Sequence, residues 1–478
     1  MNINDLKILD EDTRKEIEEL LTITREVHGD EAFAISRFNI FRRTYLSEHY
    51  DIGIEALKEI KKTDRIYHHT RLTLAGIYLN HNNDLDLAFE TIKCLEEVNE
   101  SQSLNFIFLR IAVLYLAKTE NRDIDKAKIA LGLCKNTHAY EYNCYSKICS
   151  LLENSNTKKI GESYLNFFET LLEAYRLLII DYVDTKKESP ERKLAHYTNT
   201  EVANILLNSK SNLLKYIRLN TISNVNDPSE GKLLNILLNY KESDYSKIDF
   251  SKDFHAFISC FTLNHDSLNQ FRLYGKKDNR EASGVSLVFK KEFFQKNPVG
   301  GMSFLSVSSS EKSTLQQKSF DDKTEKEENT FIDEDSNKYL IMRCVYIDPK
   351  SNYIQLAQRD RLTFYREFDS KDIADKHWEA YQIDIKEKTE DFETYVGQLK
   401  ILYKDLINEK ESLGNSNLEF IEFYEKLLNE VLLPLKYLIK HSAFQEEQEC
   451  RMMYITSLED VKVEMVYGDH PEFCVTAI

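Results

Sequence analysis

The sequence predicts an α+β protein in which a helical N-terminal half precedes a half that contains a mixed β-sheet. Apolar residues recur at helical spacing from residue 12 to residue 181. Only 13 Gly and 6 Pro occur in 478 residues, so the chain holds few helix breakers. After residue 194, short runs rich in β-branched and aromatic residues appear, and such runs favour strands.

Two segments of the N-terminal half have similar sequences. Residues 72–97 and 107–134 each read as two helices joined by a polar turn, and Tyr78 and Tyr115 lie 37 residues apart. A repeat of this length predicts an α-solenoid of helical hairpins. The hairpins loosely resemble tetratricopeptide repeats, although that repeat's Trp and Pro landmarks are missing. An irregular helical bundle is the alternative.

The charged segment 186–190 ends in Pro and marks the predicted domain boundary. We expect residues 1–190 to form the helical repeat domain and residues 191–478 to form the α+β domain. Within the second domain, residues 306–337 are dense in Ser, Lys, Glu and Asp, which predicts a flexible loop. Residues 359–440 return to helical periodicity and predict a helical insertion.

Composition argues against several classes of protein. The net charge of -17 disfavours binding to long nucleic acid through counterion release. The eight Cys contain no CxxC pair, which is typical of reduced thiols in a cytoplasmic protein. No apolar run reaches about 18 residues, so we expect no membrane span. Adjacent His68 and His69 point to different helix faces, and we expect no metal site.

The second half contains several predicted strands and two short predicted helices. Residues 254–262 give the clearest strand, because alternate positions carry different classes of side chain. The other strands are expected at 193–197, 284–290, 341–347, 450–455 and 461–467, and the helices at 200–208 and 266–274.

Four polar clusters lie at or beside these strand ends. They are His196-Tyr197-Thr198, Asn226-Asp227-Pro228, Ser259-Cys260-Phe261-Thr262 with residues 271–275, and Phe444 with Glu447, Glu449 and Arg451. In this order, together with Gly284-Val285, they resemble a widespread bacterial domain family of unknown function. The resemblance covers about residues 194–455, and Thr262 stands where that family has Ser.

That family in turn looks like the ADP-ribosyltransferase fold, a split mixed sheet that holds NAD as a substrate. The resemblance implies that His196 contacts the adenosine-side ribose and that Tyr274 stacks on nicotinamide. Glu449 or Glu447 would contact the nicotinamide ribose. A carboxylate there suits a glycosidic bond that breaks through a positively charged centre, because it stabilises the transition state more than the ground state.

The candidate site therefore has two parts. Glu449, Glu447 and His196 are the candidate catalytic residues. The candidate NAD-binding residues are His196, Thr198, Asn226, Asp227, Ser259, Tyr274 and Arg451. Structural roles are the alternative for each of them: a salt-bridged edge strand for the Glu-x-Glu-x-Arg segment, a satisfied partly buried side chain for His196, and a turn for Asn226-Asp227-Pro228.

The predicted function follows from the combination of a helical repeat domain with an α+β domain that resembles an NAD-dependent transferase. We expect an NAD-consuming effector controlled by N-terminal helices that bind a protein partner, an arrangement that suits bacterial stress response or phage defence. The acceptor would be a protein or a nucleic acid. The first alternative is a non-catalytic scaffold that binds a nucleotide or a peptide. The second is an RNA-directed enzyme, for which Lys210, Lys215 and Arg218 give a weak basic signal.

Overall fold

The computed structural model contains two compact units. The first lies within Met1–Lys135, and the second begins at Asn136 and holds the remaining helices and all the strands described below. The structure describes residues 6, 8–46, 49–80, 84–93, 102–117, 122–134, 140–180, 193–207, 217–221, 230–238, 254–274, 283–289, 293–294, 340–412, 418–460, 463–466 and 472–477. The predicted loop at 306–337, Asn226 and Asp227 lie outside these residues.

The first unit is helical throughout its described residues. Its helices are α1 (Glu11–Leu21), α2 (Arg25–His28), α3 (Asp30–Leu46), α4 (Tyr50–Lys58), α5 (Tyr67–Asn80), α6 (Leu85–Lys93), α7 (Gln102–Ala117) and α8 (Ile124–Gly132). The pairs α5/α6 and α7/α8 correspond to the two hairpins predicted from the sequence.

The two hairpins share the same turn chemistry. Asp84 and Asp123 each precede the second helix, and each carboxylate accepts a hydrogen bond from the backbone N–H three residues later, at 2.9 Å in both hairpins. The backbone N–H of each Asp also donates to an equivalent tyrosine carbonyl, that of Tyr78 or Tyr115. The carboxylates cap the N-termini of the second helices, and the backbone bonds satisfy carbonyls near the ends of the first helices. The repeat of the hairpin is therefore structural, while a solenoid stays a prediction.

The second unit carries eight helices and eleven strands in its described residues. The helices are α9 (Tyr140–Glu153), α10 (Lys158–Arg176), α11 (Thr200–Leu207), α12 (Leu233–Leu237), α13 (Leu268–Tyr274), α14 (Arg361–Tyr365), α15 (Lys371–Ser412) and α16 (Leu418–Lys436). The strands are β1 (Leu194–Asn199), β2 (Ile217–Thr221), β3 (Phe254–Thr262), β4 (Gly284–Phe289), β5 (Ile341–Arg343), β6 (Val345–Asp348), β7 (Tyr353–Leu356), β8 (Ile439–His441), β9 (Glu449–Ser457), β10 (Val463–Val466) and β11 (Glu472–Ala477). The α+β class is thus confirmed.

Strand β3 is the centre of a large sheet. It pairs with β9 along its whole length, from Phe254 opposite Ser457 to Thr262 opposite Glu449. On its other side it pairs with β2 and β1, which continue to β11, β10 and β4, while β5 extends the sheet beyond β9. The prediction of one mixed sheet is not met, because the described pairings of the large sheet are antiparallel. The parallel pair β6/β8 lies in a small sheet of order β7-β6-β8.

One face of the large sheet is apolar and forms a buried core. Alternate residues of antiparallel partners contribute to it, as the two-residue period of strands requires. The members from β1, β2, β3, β5 and β9 are Leu194, Ile217, Leu219, Phe257, Phe261, Ile341, Cys450 and Met452. The three Phe rings Phe261, Phe289 and Phe294 meet edge to face within this core.

Helices α9 and α10 belong to the second unit, so the units divide at Lys135 and not at the predicted boundary near 190. The hydroxyl of Ser163 in α10 donates to Glu409 in α15, and that of Tyr164 donates to the Tyr424 carbonyl of α16 at 2.6 Å. The segment that follows α10 joins the sheet, because the Ile180 N–H donates to the carbonyl of Ile341 in β5 at 2.9 Å. Helical periodicity alone does not reveal which neighbours a helix packs against.

A proline inside α16 explains one contact between α9 and α16. Pro434 has no N–H, so the carbonyl of Glu430, four residues earlier, lacks its helical partner. The hydroxyl of Tyr140 donates to this carbonyl at 2.8 Å and lies 3.2 Å from the Val431 carbonyl. A side chain of α9 thus satisfies the backbone group that the proline leaves open.

The contact between Tyr140 and Glu430 can be tested with a double-mutant cycle. We expect Tyr140→Phe to lower the free energy of unfolding by about 1–3 kcal/mol, because a buried carbonyl loses its donor. In a Pro434→Ala background the new backbone N–H can donate to Glu430, so the same change should cost less. Urea unfolding of the four proteins measures both costs, and equal costs in the two backgrounds would contradict the explanation.

For two glycines in helices of the second unit we predict that substitution by alanine changes stability in opposite directions. A Cβ on Gly161 of α10 would lie 2.9 Å from the Leu152 backbone nitrogen of α9, whereas a Cβ on Gly397 of α15 would meet nothing within 4 Å. We expect Gly161→Ala to destabilise by about 1–3 kcal/mol through overpacking. Gly397→Ala should stabilise by about 0.5–1 kcal/mol by restricting the unfolded chain. Urea unfolding measures both, and the same sign for the two variants would refute the prediction.

Candidate functional site

The register of the large sheet decides which candidate residues share a face. Ala195 of β1 lies opposite Thr262 of β3, and Thr262 lies opposite Glu449 of β9. Directly opposed residues of antiparallel strands point to the same face, and their chain neighbours point to the other. Glu449 therefore shares its face with Cys260 and Arg451 of the next opposed pair. We call this the acidic face.

A lysine from the small sheet binds both acids of the Glu-x-Glu segment. The ammonium nitrogen Nζ of Lys440, on β8, lies 2.5 Å from Oε2 of Glu447 and 2.5 Å from Oε2 of Glu449. The three side chains are 5%, 11% and 7% exposed in that order, so Glu447 is the most accessible of them. The contact links the small sheet to the large one.

Arginine 451 extends this ion-pair cluster. Its Nε donates to Oε1 of Glu449 at 2.7 Å, and its terminal nitrogen donates to the Glu230 carboxylate and to the Tyr437 carbonyl. Gly231 places Glu230 there: its φ is +79°, and a Cβ would approach the Tyr437 ring to 2.9 Å. A side chain at position 231 would be strained in its backbone and would clash.

Glu447 and Glu449 converge because of the residue between them. Glu447 ends the 3₁₀ helix Ser442–Glu447, and Gln448 has φ 43° and ψ 50°, a left-handed conformation uncommon outside glycine. The Gln448 amide group accepts from the Gln358 N–H and donates to the Gln445 carbonyl, which holds the turn. The two acids therefore meet at Lys440 through this turn, and not by alternation along one strand, because β9 begins only at Glu449.

The cluster carries an unbalanced charge. Three carboxylates, Glu230, Glu447 and Glu449, face two cations, Lys440 and Arg451. Burial raises the pKa of Glu447, the neighbouring Glu449 raises it further, and the attraction of Lys440 opposes both. Burial lowers the pKa of Lys440, but Glu449 and Glu447 outweigh it and hold that pKa above its usual range. Proton uptake by Glu447 would neutralise the excess negative charge.

Tyr274 and Cys260 lie where the acidic face opens to solvent. The Tyr274 hydroxyl, at the end of α13, is 3.2 Å from Oε1 of Glu447, and the side chain is 37% exposed. Cys260 is exposed, yet burial among neighbouring atoms and the carboxylate of Glu449 raise its pKa well above the usual value. A raised pKa keeps the thiol protonated and weakly nucleophilic.

His196 does not face Glu449. It lies one residue from Ala195 on β1, so it points to the apolar face of the sheet, where its ring contacts Phe261 at 5.7 Å between centroids. Its Nδ1 is 2.8 Å from the Cys260 carbonyl oxygen, and burial lowers its pKa. His196 and Glu449 lie on opposite faces of the sheet, so this arrangement does not fit the expectation that both contact one NAD molecule. His196 holds β1 against β3.

The other candidates divide between the two faces. Thr198 and Ser259 are buried and share the apolar face with His196, whereas Tyr274 and Arg451 join Glu447 and Glu449 on the acidic face. Tyr197 is buried, and its hydroxyl donates to the Asn264 carbonyl at 2.8 Å. Asn226 and Asp227 are not described.

Sequence reasoning missed Lys440 and Glu230. Lys440 falls at the end of the predicted helical insertion and reaches the acids through the parallel pairing of β8 with β6. Glu230 belongs to a segment whose sequence reads only as a turn. Neither residue lies in a pattern of residue types that indicates ion pairing, so no local signal identified them.

The described part of the chain shows neither a metal site nor a membrane-spanning helix, and the chain has no match among known proteins. Among the residues that the structure describes, no group of three His, Cys, Asp or Glu side chains is arranged to hold a metal ion. No described helix combines the length and apolar character that crossing a bilayer requires. Comparison of the chain with protein-family models, curated proteins and solved structures finds no match.

The raised pKa of Glu447 predicts a pH dependence of stability. The folded state keeps the proton at pH values above the usual pKa of 4.5, where the unfolded state has lost it. Stability from this group is therefore present below pH 4.5 and is lost as pH rises through the folded pKa. We expect the stability difference between wild type and Glu447→Gln to shift against wild type from pH 4.5 upward, by about 1.4 kcal/mol per unit of pKa change. Urea unfolding at several pH values measures it, and a constant difference would contradict it.

Proposed function

We propose that the second unit binds NAD as a substrate and breaks its nicotinamide–ribose bond. The ADP-ribose would pass to an acceptor, a protein or a nucleic acid, or to water. One observation carries the proposal: the Glu447 carboxylate lies beside the exposed Tyr274 ring on the acidic face, and Cys260 is exposed on the same face. The order of sequence motifs that resembles the ADP-ribosyltransferase fold also supports it.

Glu447 is the proposed catalytic group. The bond breaks as positive charge develops on the ribose, and a carboxylate held beside that charge stabilises the transition state more than the ground state. Glu447 suits this role because its side chain is more exposed than that of Glu449, and its Oε1 lies 3.2 Å from the hydroxyl of the exposed Tyr274. Tyr274 would present its ring to the nicotinamide.

Glu449, Arg451 and Lys440 act in this proposal as positioning residues. Both oxygens of Glu449 are taken, one by Lys440 and the other by Arg451. A carboxylate paired twice has little charge left for a substrate, so Glu449 is better suited to anchor Lys440 than to contact the ribose. The sequence alone leaves either acid as the catalytic group.

The helical hairpins of the first unit are the proposed site for a protein partner. Repeated hairpins present similar surfaces in series, which suits binding to an extended partner. Control of an NAD-consuming unit by such a partner fits an effector in bacterial stress response or phage defence. Binding of the partner would regulate the reaction without contributing to the chemistry.

A non-catalytic scaffold is the second candidate. The extensive internal pairing of Glu449, Arg451 and Lys440 favours it, because the cluster satisfies itself with protein groups. In this case the opening beside Tyr274 would hold a nucleotide or a peptide without turnover. A ligand that binds only the folded state raises its melting temperature by mass action.

Nicotinamide release separates the two candidates. We expect wild type, given its acceptor or partner, to release nicotinamide from NAD and Glu447→Gln to do so about 100-fold more slowly, since one stabilising group at the charged centre is lost. Glu446→Gln is the control, because Glu446 is the adjacent exposed acid and undergoes the same chemical change. Thermal stabilisation by NAD without any turnover would favour the scaffold, and equal rates for the two variants would refute a catalytic Glu447.

A further inference from the structure

Lys440 occupies the position that a positively charged ligand would need. Its ammonium contacts Oε2 of Glu447, and the hydroxyl of the exposed Tyr274 lies 3.2 Å from Oε1 of the same carboxylate. The ammonium is buried, and it also lies 5.2 Å from the centroid of the Phe444 ring. The acidic face therefore already holds a cation in an aromatic and anionic setting.

We propose that Lys440 competes with a positively charged ligand for the Glu447 carboxylate. In the arrangement described here Lys440 occupies that carboxylate, so this is the low-affinity state of the site. This inference rests on the proposed function, because the nicotinamide ring of NAD is a cation. An incoming ring beside Glu447 would meet a carboxylate whose charge the lysine already balances. The two cations would also repel each other, and repulsion is strong where water is excluded.

Lys440 and the two acids belong to different elements of the fold, so a movement between these elements would separate them. Lys440 belongs to β8, a strand of three residues in the small sheet, whereas both acids belong to the end of β9 and the turn before it. A shift of β8 relative to β9 would withdraw the ammonium without disturbing the β3/β9 pairing. The apparent affinity equals the intrinsic affinity multiplied by the fraction of molecules in which the lysine has withdrawn. If that fraction is about 1%, the apparent affinity is about 100-fold below the intrinsic affinity.

The test removes the lysine while it keeps the net charge of the cluster. Lys440→Met alone would leave an excess of buried carboxylates, so it is combined with Glu449→Gln. The double variant has two acids and one base where wild type has three acids and two bases, and both clusters carry a net charge of minus one. Lys440→Arg, which retains the positive charge, is the matched control.

Isothermal titration of the full chain with 1-methylnicotinamide, a cation, and with neutral nicotinamide measures the competition. We expect the double variant to bind the cation at least tenfold more tightly than wild type, Lys440→Arg to show no gain, and nicotinamide affinity to change less than twofold. A folded double variant without this gain, or an equal gain for Lys440→Arg, overturns the inference. If the double variant is unfolded by circular dichroism, Lys440→Gln with Glu449→Gln replaces it, since the amide keeps a donor toward Glu447.

Cation binding and NAD cleavage are separate measurements, so the two proposals fail separately. If the double variant binds the cation more tightly but wild type never releases nicotinamide, the catalytic proposal fails and the proposal that Lys440 competes with the ligand stands. Nicotinamide release by wild type with no gain in the double variant would keep the reaction and remove the competitor.

Discussion

The antiparallel pairing of β3 with β9 is the constraint on which the second unit depends. Nine opposed residue pairs fix every side chain of the two strands to one face or the other. A slip of one residue would exchange the core residue Phe261 with Cys260 and would turn Glu449 into the apolar core. Burial of the aromatic side chains on one face therefore also places Glu449 and Arg451 on the opposite face, and the turn at Gln448 brings Glu447 to them.

The ion-pair cluster on that face is costly to keep. Taking ions out of water costs several kcal/mol for each ion, and mutual attraction recovers this only with good geometry, so buried ion pairs are weak contributors to stability. The cluster nevertheless has every one of its five charges in contact with an opposite charge. Its unequal count of acids and bases leaves one negative charge that a proton or a ligand can balance.

Local patterns predicted the elements well, because they depend on neighbouring residues. The alternation in 254–262 gave β3 its observed ends, and the Asp84 and Asp123 turns repeat as the hairpin sequences indicated. Relations between distant elements were not predictable in this way. The face on which His196 lies depends on its register against β3, and Lys440 reaches Glu447 only after β8 pairs with β6. A motif order shows which residues occur along the chain and does not show which of them point the same way.

The division between the units shows the same limit in the helices. Helical periodicity continues through α9 and α10 without a change, since an amphipathic helix needs only an apolar partner and its sequence does not specify which one. The contacts that assign these helices to the second unit are individual: the Tyr140 hydroxyl on the carbonyl left open by Pro434, and Lys147 on the buried Glu430 carboxylate. Each joins residues more than 280 positions apart. Because Tyr140 also contacts Phe254 at the start of β3, α9 links α16 to the central strand of the sheet.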